Sequence, residues 1–528
     1  MKDANKRLII VLAIVVAAVF LRLPKLEMRP MHTDEAVHAI KFGQLLEDGQ
    51  YRYDRNEYHG PTLNYLTLIP AWLGSDENLN DIDEFTVRII PVVCGVLLVL
   101  LPLLLVDGIG FPAAVWIMAF TAMSPAFVFY SRYYIQEMLL VCFTFAAIAF
   151  GFRYTQNKNF KWALLTGISV GLMHATKETC IIAFGSFVLA WVFTYLLGRR
   201  EDISTKLQAV KPLHVLAAIL AAIAVSILFY SSFFKNPEGI FDSVRTYATY
   251  FSRASQNPIH NKSWYYYFDI LTWVEGFEKI TFNEDYIVVA ACFGFFAAIS
   301  RKYSSFFNSG FVRFIAFYTL IMTVIYSAIP YKTPWSMLGF FHGMVLLSGI
   351  GTDCLIKIVR SRWEKVIVWG VIILFGLISP LVQSYLSSFK YYADTSNPYV
   401  YAHTSNDIFD ITKRVEQISA VHPDGRNMYI EVVCPDDDYW PLPWYLRSFA
   451  NVGWWNKVDA ASPAAELIIA APEVEQEILK KLYETPEPGK RHLYVPVFDS
   501  YSQLRPQVEL KGFVRKSLWD RLGQAAGE

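Results

Sequence analysis

The chain has 528 residues, of which 54% are hydrophobic and only 18% charged, against about 45–50% and about 25% in average soluble domains. The excess lies in long apolar runs before Leu386, which excludes a wholly soluble protein. Its 47 basic and 47 acidic residues cancel, so net charge lends no support to a nucleic-acid partner.

A basic start, Met1 to Arg7, leads into the apolar run Leu8–Leu23. No small-residue cleavage pattern follows; Arg22, Pro24 and Lys25 come instead. The run therefore reads as an uncleaved first helix rather than a signal peptide. A spanning helix needs about 20 apolar residues. Eleven candidate runs meet or approach that length: Leu8–Leu23, Thr86–Val106, Phe111–Tyr130, Met138–Phe152, Trp162–His174, Cys180–Leu197, Leu213–Phe234, Tyr286–Ser300, Phe314–Ile329, Trp335–Ile358 and Val366–Leu386.

With the N-terminus on the cytoplasmic side, the inside loops carry Arg153, Lys158 and Lys161; Arg199, Arg200, Lys206 and Lys211; Arg301, Lys302 and Arg313; and Lys357, Arg360, Arg362 and Lys365. Only the turn Asp107–Gly110 lacks a cation. This asymmetry is what the positive-inside rule predicts. It implies a multi-pass protein of the inner or plasma membrane with residues 1–387 in its membrane domain. Two long external loops follow, 24–85 and 235–285. The stretch Pro61–Leu73 in the first is too short to span and suits a helix lying in the interface. Tyr247–Trp273 in the second is rich in Tyr and Trp, as chain at the headgroup level is.

Residues 388–528 read as an extracytoplasmic α/β domain. Helical spacing over Asp407–Ser419, Tyr439–Phe449 and Val474–Leu482 alternates with strand signals at Met428–Val433, Glu466–Ala471 and Leu493–Phe498. No glycine-rich phosphate loop is present, so no nucleotide cofactor is expected. Of six cysteines only Cys434 lies in this part; Cys94, Cys142, Cys180, Cys292 and Cys354 fall in or beside apolar runs. Their spacing specifies neither a disulfide nor a zinc site.

Ionisable residues gather in short motifs at the expected outer ends of helices: Met31-His32-Thr33-Asp34-Glu35, Tyr58-His59-Gly60-Pro61, Tyr130-Ser131-Arg132 through Glu137, Thr176-Lys177-Glu178, Arg253 through His260 to Trp264, and Tyr331-Lys332-Thr333-Pro334-Trp335. Each has a plain structural alternative. Thr33 or Asp34 can cap a helix, Glu137 can pair with Arg132, and Lys177 and Glu178 can snorkel outward. Taken together they place acids (Asp34, Glu35, Glu137), cations (Lys177, Arg253, Lys332) and His59 or His260 on one side. Such a balanced cluster fits an anionic lipid headgroup with a base beside it. Asp34, Glu35, Glu137 and His59 would hold a divalent cation, Mg or Mn, if one is used, though no spacing requires it. The tryptophans Trp440–Trp444 and Trp454-Trp455 either stack on glycan or pack the soluble part.

The run Asp34-Glu35, Gly60-Pro61-Thr62-Leu63-Asn64-Tyr65-Leu66, Arg88, Ser124-Pro125, Tyr130-Ser131-Arg132, Glu137 and Thr176-Lys177 resembles the GT-C membrane glycosyltransferases. Within these it is similar to the protein O-mannosyltransferase and lipid A aminoarabinose transferase branch, over about the first 270 residues. Lys332-Thr333-Pro334-Trp335, Tyr401-Ala402-His403-Thr404-Ser405 and Trp440-Pro441-Leu442-Pro443-Trp444-Tyr445-Leu446-Arg447 resemble the group described as "flippase activity-associated" proteins. The resemblance implies a polytopic GT-C fold and a sugar donor on polyprenyl phosphate. It implies a glycan, lipid or protein acceptor, Asp34 as general base, and Glu137 as the second acid, beside Glu35.

Lys177 and Arg253 map near donor-phosphate contacts. The aminoarabinose branch carries Glu-Lys-Pro-Pro where this chain has His59-Gly60-Pro61-Thr62, so the missing cation must come from elsewhere, with Lys332 and Arg447 as candidates. His59, His260, Glu178 and Tyr58 remain candidates for substrate or metal contact. A polyprenyl-glycan flippase and a noncatalytic component of a glycosylation complex are the alternatives. A flippase would need polar residues along a path through the bilayer, and few lie deep in the apolar runs.

Overall fold

The computed structural model describes residues 2–55, 59–198, 210–253, 261–272, 282–303, 305–498 and 502–526. All eleven apolar runs fold as helix, the solution that satisfies every backbone polar group without water. Among the described residues eight helices are long and apolar enough to cross a membrane, and nine if one bent pair counts as a span. Phe160–His174 and Asp285–Ile299 are helical but shorter, at 15 residues each. The protein is thus a multi-pass membrane protein.

The bent pair, Phe111–Met123 and Pro125–Ser131, turns by 58° at Ser124. Pro125 forces its predecessor out of the helical region, and Ser124 is extended, at φ −62°, ψ 124°. The Ser124 hydroxyl then accepts from the Phe127 N–H and starts the second helix. The helix Pro334–Ile358 is central, with 83% of its apolar window buried, whereas Pro212–Tyr230 has 6% buried and presents its apolar surface outward. Small residues let the central helix approach Asp285–Ile299 closely. A Cβ on Gly294 would lie 2.0 Å from the Leu347 carbonyl oxygen, the kind of packing that small residues permit between membrane helices. The stretch read as interfacial is the helix Thr62–Gly74, with Ile69, Trp72 and Leu73 exposed.

The chain divides into two compact units. One comprises Met1–Leu26, Gln44–Ser75 and Phe85–Tyr401 and holds all the apolar helices. The other comprises Glu27–Gly43, Asp76–Glu84 and Ala402–Glu528. Two pieces of the segment 24–85 therefore fold with the C-terminal part, and the division falls at Tyr401 rather than near residue 387.

The second unit is built on a six-stranded sheet of order β2-β1-β3-β6-β4, with β5 paired to β6. The strands are β1 Ile430–Val433, β2 Val452–Trp455, β3 Leu467–Ala470, β4 Tyr494–Pro496, β5 Ser502–Arg505 and β6 Val508–Arg515. β2, β1 and β3 run parallel; β6 is antiparallel to β3 and to β4. Ile408, Ile411, Val415 and Ile418 form one stripe of the helix Asp407–Val421 and pack with Ile430 and Val432. Val433, Ile468 and Phe513 pack on the other face with Ile478 and Leu482 of the helix Glu475–Tyr483. The expected helix at Tyr439–Phe449 shrinks to Leu442–Tyr445. Strands β2, β5 and β6 carry no clear alternating signal in the sequence.

Candidate active site

In the first unit the chemistry gathers on the short connection Ala175–Thr179, between the helices Phe160–His174 and Cys180–Leu197. Gly60 makes this possible, because a Cβ there would lie 2.2 Å from the Ala175 carbonyl oxygen. The Thr62 N–H donates to that same oxygen at 3.2 Å, and the Thr62 and Thr176 hydroxyls are 2.7 Å apart. This docking sets His59 Nδ1 2.9 Å from Glu178 Oε2, while the Tyr53 hydroxyl donates to Glu178 Oε1 at 2.9 Å. Burial alone would raise the Glu178 carboxyl, but His59 and the hydrogen bond from Tyr53 hold it below the usual carboxylate range.

Next to Glu178, the Lys177 ammonium pairs with Glu137 Oε1, and both side chains are buried. Glu137 opens the helix Glu137–Asn157, where a negative charge meets the positive end of the dipole. Arg132, which the plain structural alternative pairs with Glu137, instead donates to the carbonyls of Arg22, Pro24 and Lys25. Lys177 and Glu178 do not snorkel outward. A small cavity of about 30 Å³ touches this pair, lined also by Thr179, Tyr326, Trp335 and Ser336. Lys332 is buried as well; its ammonium donates to the Ile329 and Lys262 carbonyls. Desolvation draws it below the ordinary lysine value, and no acidic partner stands beside it among the described residues.

In the second unit Asp34 and Glu35 begin the helix Thr33–Asp48 and meet opposite fates. Glu35 is fully buried. Arg29 Nη2 donates to its Oε1 at 2.9 Å, and the His32 main-chain N–H donates to its Oε2 at 3.0 Å. The Asp34 side chain is 45% exposed, with Oδ1 3.9 Å from His32 Nδ1. The C-terminal motifs close around this turn. Arg29 Nη1 lies 3.3 Å from His403 Nε2, the Thr404 hydroxyl donates to the Met31 carbonyl at 2.7 Å, and the Met31 N–H donates to the Tyr445 hydroxyl at 2.8 Å. Arg505 donates to the Thr33 hydroxyl at 3.4 Å and to Asp438 Oδ1 at 2.8 Å.

Arg447 has other work. Its guanidinium donates to the Leu79, Ile82 and Trp444 carbonyls and lies 3.9 Å over the Trp444 ring. Trp444 is itself buried, donating to Glu84 at 2.8 Å.

The structure therefore gathers the expected residues in two groups: Glu137, Lys177, Glu178, His59 and Lys332 in one unit, and Asp34, Glu35 and Arg447 in the other. Tyr58 and His260 lie outside the described residues, as does the side chain of Arg253, whose backbone ends the helix Glu238–Arg253. Among the described residues no three His, Cys, Asp or Glu side chains come together to hold a metal ion. Residues not singled out as site candidates complete the picture. Arg29 and His403 frame the Asp34 turn, and Arg22 and Arg88 tie down the end of the first helix. Arg22 donates to the Ala122 and Thr121 carbonyls at 2.8 Å, and Arg88 to the Leu26 carbonyl at 2.5 Å. The available signal was an arginine inside an apolar run, a costly placement that asks for partners.

Residues 63–236 match the family model described as dolichyl-phosphate-mannose-protein mannosyltransferase. No curated protein sequence matches the chain. Among solved structures it is similar to ArnT from Cupriavidus metallidurans in the apo state, at 14% identity and a TM-score of 0.61, over 97% of this chain and 98% of that one. The same protein bound to undecaprenyl phosphate gives 15% identity and a TM-score of 0.60 over 95% and 97%. The Archaeoglobus fulgidus oligosaccharyltransferase in complex with Zn and sulfate gives 12% and 0.56 over 90% and 69%. The chain carries the GT-C glycosyltransferase fold, and within it resembles the branch of the protein O-mannosyltransferases and ArnT.

Proposed function

We propose that the protein is an inverting glycosyltransferase that moves a sugar from a polyprenyl-phosphate donor to an acceptor hydroxyl at the outer face of the membrane. The contrast between two adjacent acids carries this reading. Glu35 is buried and neutralised by Arg29, whereas Asp34 keeps nearly half of its side chain open. A carboxylate with solvent access and no lysine or arginine paired with it among the described residues is free to take a proton. Glu35 is then a positioning residue, holding the His32 main chain and with it the turn that presents Asp34.

The acceptor oxygen attacks the anomeric carbon, and its proton passes to the Asp34 carboxylate. The bond from that carbon to the donor phosphate oxygen breaks, and polyprenyl phosphate leaves with the electron pair from the opposite face, so the sugar inverts. Lys177 and Lys332 supply positive charge to the departing phosphate, and Arg253 joins them by resemblance. Preorganised charge of this kind is worth about 3–4 kcal/mol per donor group, and a general base roughly a hundred- to ten-thousand-fold in rate. Glu137 fixes the Lys177 ammonium. The family match over residues 63–236 supports sugar transfer, and the likeness to a structure bound to undecaprenyl phosphate supports the donor class.

The test is an incubation of purified protein with polyprenyl-phosphate hexoses, with and without EDTA, reading the anomeric configuration of the product by NMR. Inversion is expected. Retention would overturn the single displacement, and loss of activity in EDTA would show that a metal takes part.

A further inference from the structure

The β2 edge of the second unit carries a pair of aromatic side chains that neither the fold nor the transfer chemistry uses. Among the described residues β2 pairs only with β1 and forms one edge of the sheet. Its residues Trp454 and Trp455 point to opposite faces. Trp454 packs inward, its ring 4.9 Å from Tyr439 and against the core. Trp455 stays 43% exposed, and Tyr429, just before β1, 39% exposed. Both lie over Gly453. A Cβ there would meet Trp455 Nε1 at 2.5 Å and the Tyr429 hydroxyl at 2.8 Å. The missing side chain lets an indole N–H and a phenol O–H converge on the sheet surface. Neither polar tip has a hydrogen-bond partner among the described residues.

Beneath them, in register with Gly453 and on the same face, stands Glu431. It is 1% exposed; Lys481 donates to its Oε1 at 2.7 Å, and its Oε2 is buried with no partner among the described residues. Lys481 is spent on Glu431 and on the Ser462 hydroxyl at 2.9 Å. At the end of β2, Asn456 Oδ1 accepts from the Asp437 N–H at 3.2 Å, beside the exposed run Asp436-Asp437-Asp438.

We infer that Tyr429, Gly453 and Trp455 form a binding site for a neutral saccharide chain. Aromatic rings with polar tips suit a ligand that has an apolar ring face and hydroxyls at its edge. Acidic neighbours and a consumed lysine disfavour an anion, and they also disfavour an anionic lipid surface, which would attract basic residues. The site lies in a different unit from Lys177 and Glu137 and does not depend on Asp34 acting as a base, so it goes beyond the transfer reading.

The full chain, purified in detergent, is titrated with neutral hexasaccharides of glucose, mannose, galactose and N-acetylglucosamine by saturation-transfer NMR and calorimetry. At least one should bind. Trp455→Ala should weaken it about tenfold or more. Tyr429→Phe, which keeps the ring, should weaken it severalfold. Gly453→Ala, which drives the two rings apart, should match Trp455→Ala. Trp363→Ala, an exposed tryptophan at the start of a membrane-spanning helix in the other unit, should bind as the parent does. No binding by any of the four saccharides overturns the site, as does binding that survives both Trp455→Ala and Gly453→Ala. So does a Trp455-dependent affinity for anionic phosphatidylglycerol vesicles without saccharide binding, which would make the pair a membrane anchor.

Discussion

Glu137 and Lys177 are ion-paired although 40 residues separate them, and both side chains are buried. Taking one member away leaves the other charge buried without compensation, which costs about 3–5 kcal/mol. Lys177→Met and Glu137→Leu should each lower the thermal midpoint of the detergent-purified protein, whereas the double variant should regain much of the loss. The double variant should nonetheless stay inactive, because the lysine is also asked to face the donor phosphate. Equal destabilisation of single and double variants would show that the pair is not coupled.

Glu178 makes the connection 175–179 sensitive to acid. Its folded-state pKa lies below the ordinary 4.5, so the unfolded chain takes up its proton first as pH falls. The stability it contributes is present above about pH 4.5 and is lost as pH falls through the depressed folded value. Thermal unfolding followed from pH 7 down to pH 3 should therefore show a steep acid limb. In Glu178→Gln that limb should flatten, with lower stability at pH 7, since the carboxylate no longer meets His59 and Tyr53.

Gly60→Ala places a methyl group against backbone rather than a flexible side chain, 2.2 Å from the Ala175 oxygen. The loop must give, at about 1–3 kcal/mol, and His59 should swing away from Glu178. Lower thermal stability with a flattened acid limb like that of Glu178→Gln would confirm the link. An unchanged acid limb would separate Gly60 from the ion pair.

Lys332 lacks an acidic partner among the described residues, so removing its charge relieves desolvation instead of orphaning an anion. Lys332→Met should keep the fold, losing only the ammonium's bonds to the Ile329 and Lys262 carbonyls, yet turn over about a hundredfold more slowly, as loss of one preorganised donor does. A drop in stability with full activity would make it a structural lysine.

The helices were legible because lipid-spanning segments need long apolar runs, and all eleven runs are helical. The motif at Thr176-Lys177-Glu178 was legible as a cluster of costly charges between apolar runs. Partners were not. The nearby Arg132 is only the structural alternative for Glu137, and packing pairs Glu137 with Lys177 instead. Arg29 and His403 meet across 374 positions, a contact set by tertiary folding that no local pattern encodes. Arg447 was read as a phosphate ligand from its charge, whereas its donors are used by carbonyls at Leu79 and Ile82, which fold with the C-terminal part. Strand β2, four residues with a glycine in it, is too short and irregular to announce itself by alternation.

The most direct test follows release of radiolabelled sugar from polyprenyl phosphate by the wild-type protein and by Asp34→Asn and Glu35→Gln. The account predicts release by wild type and loss of at least a hundredfold in Asp34→Asn while its thermal midpoint holds. In Glu35→Gln it predicts a lower midpoint together with lower activity. Undiminished release by a folded Asp34→Asn protein would contradict the assignment of the base. Absence of release by the wild type from every donor that it binds would contradict the transferase itself.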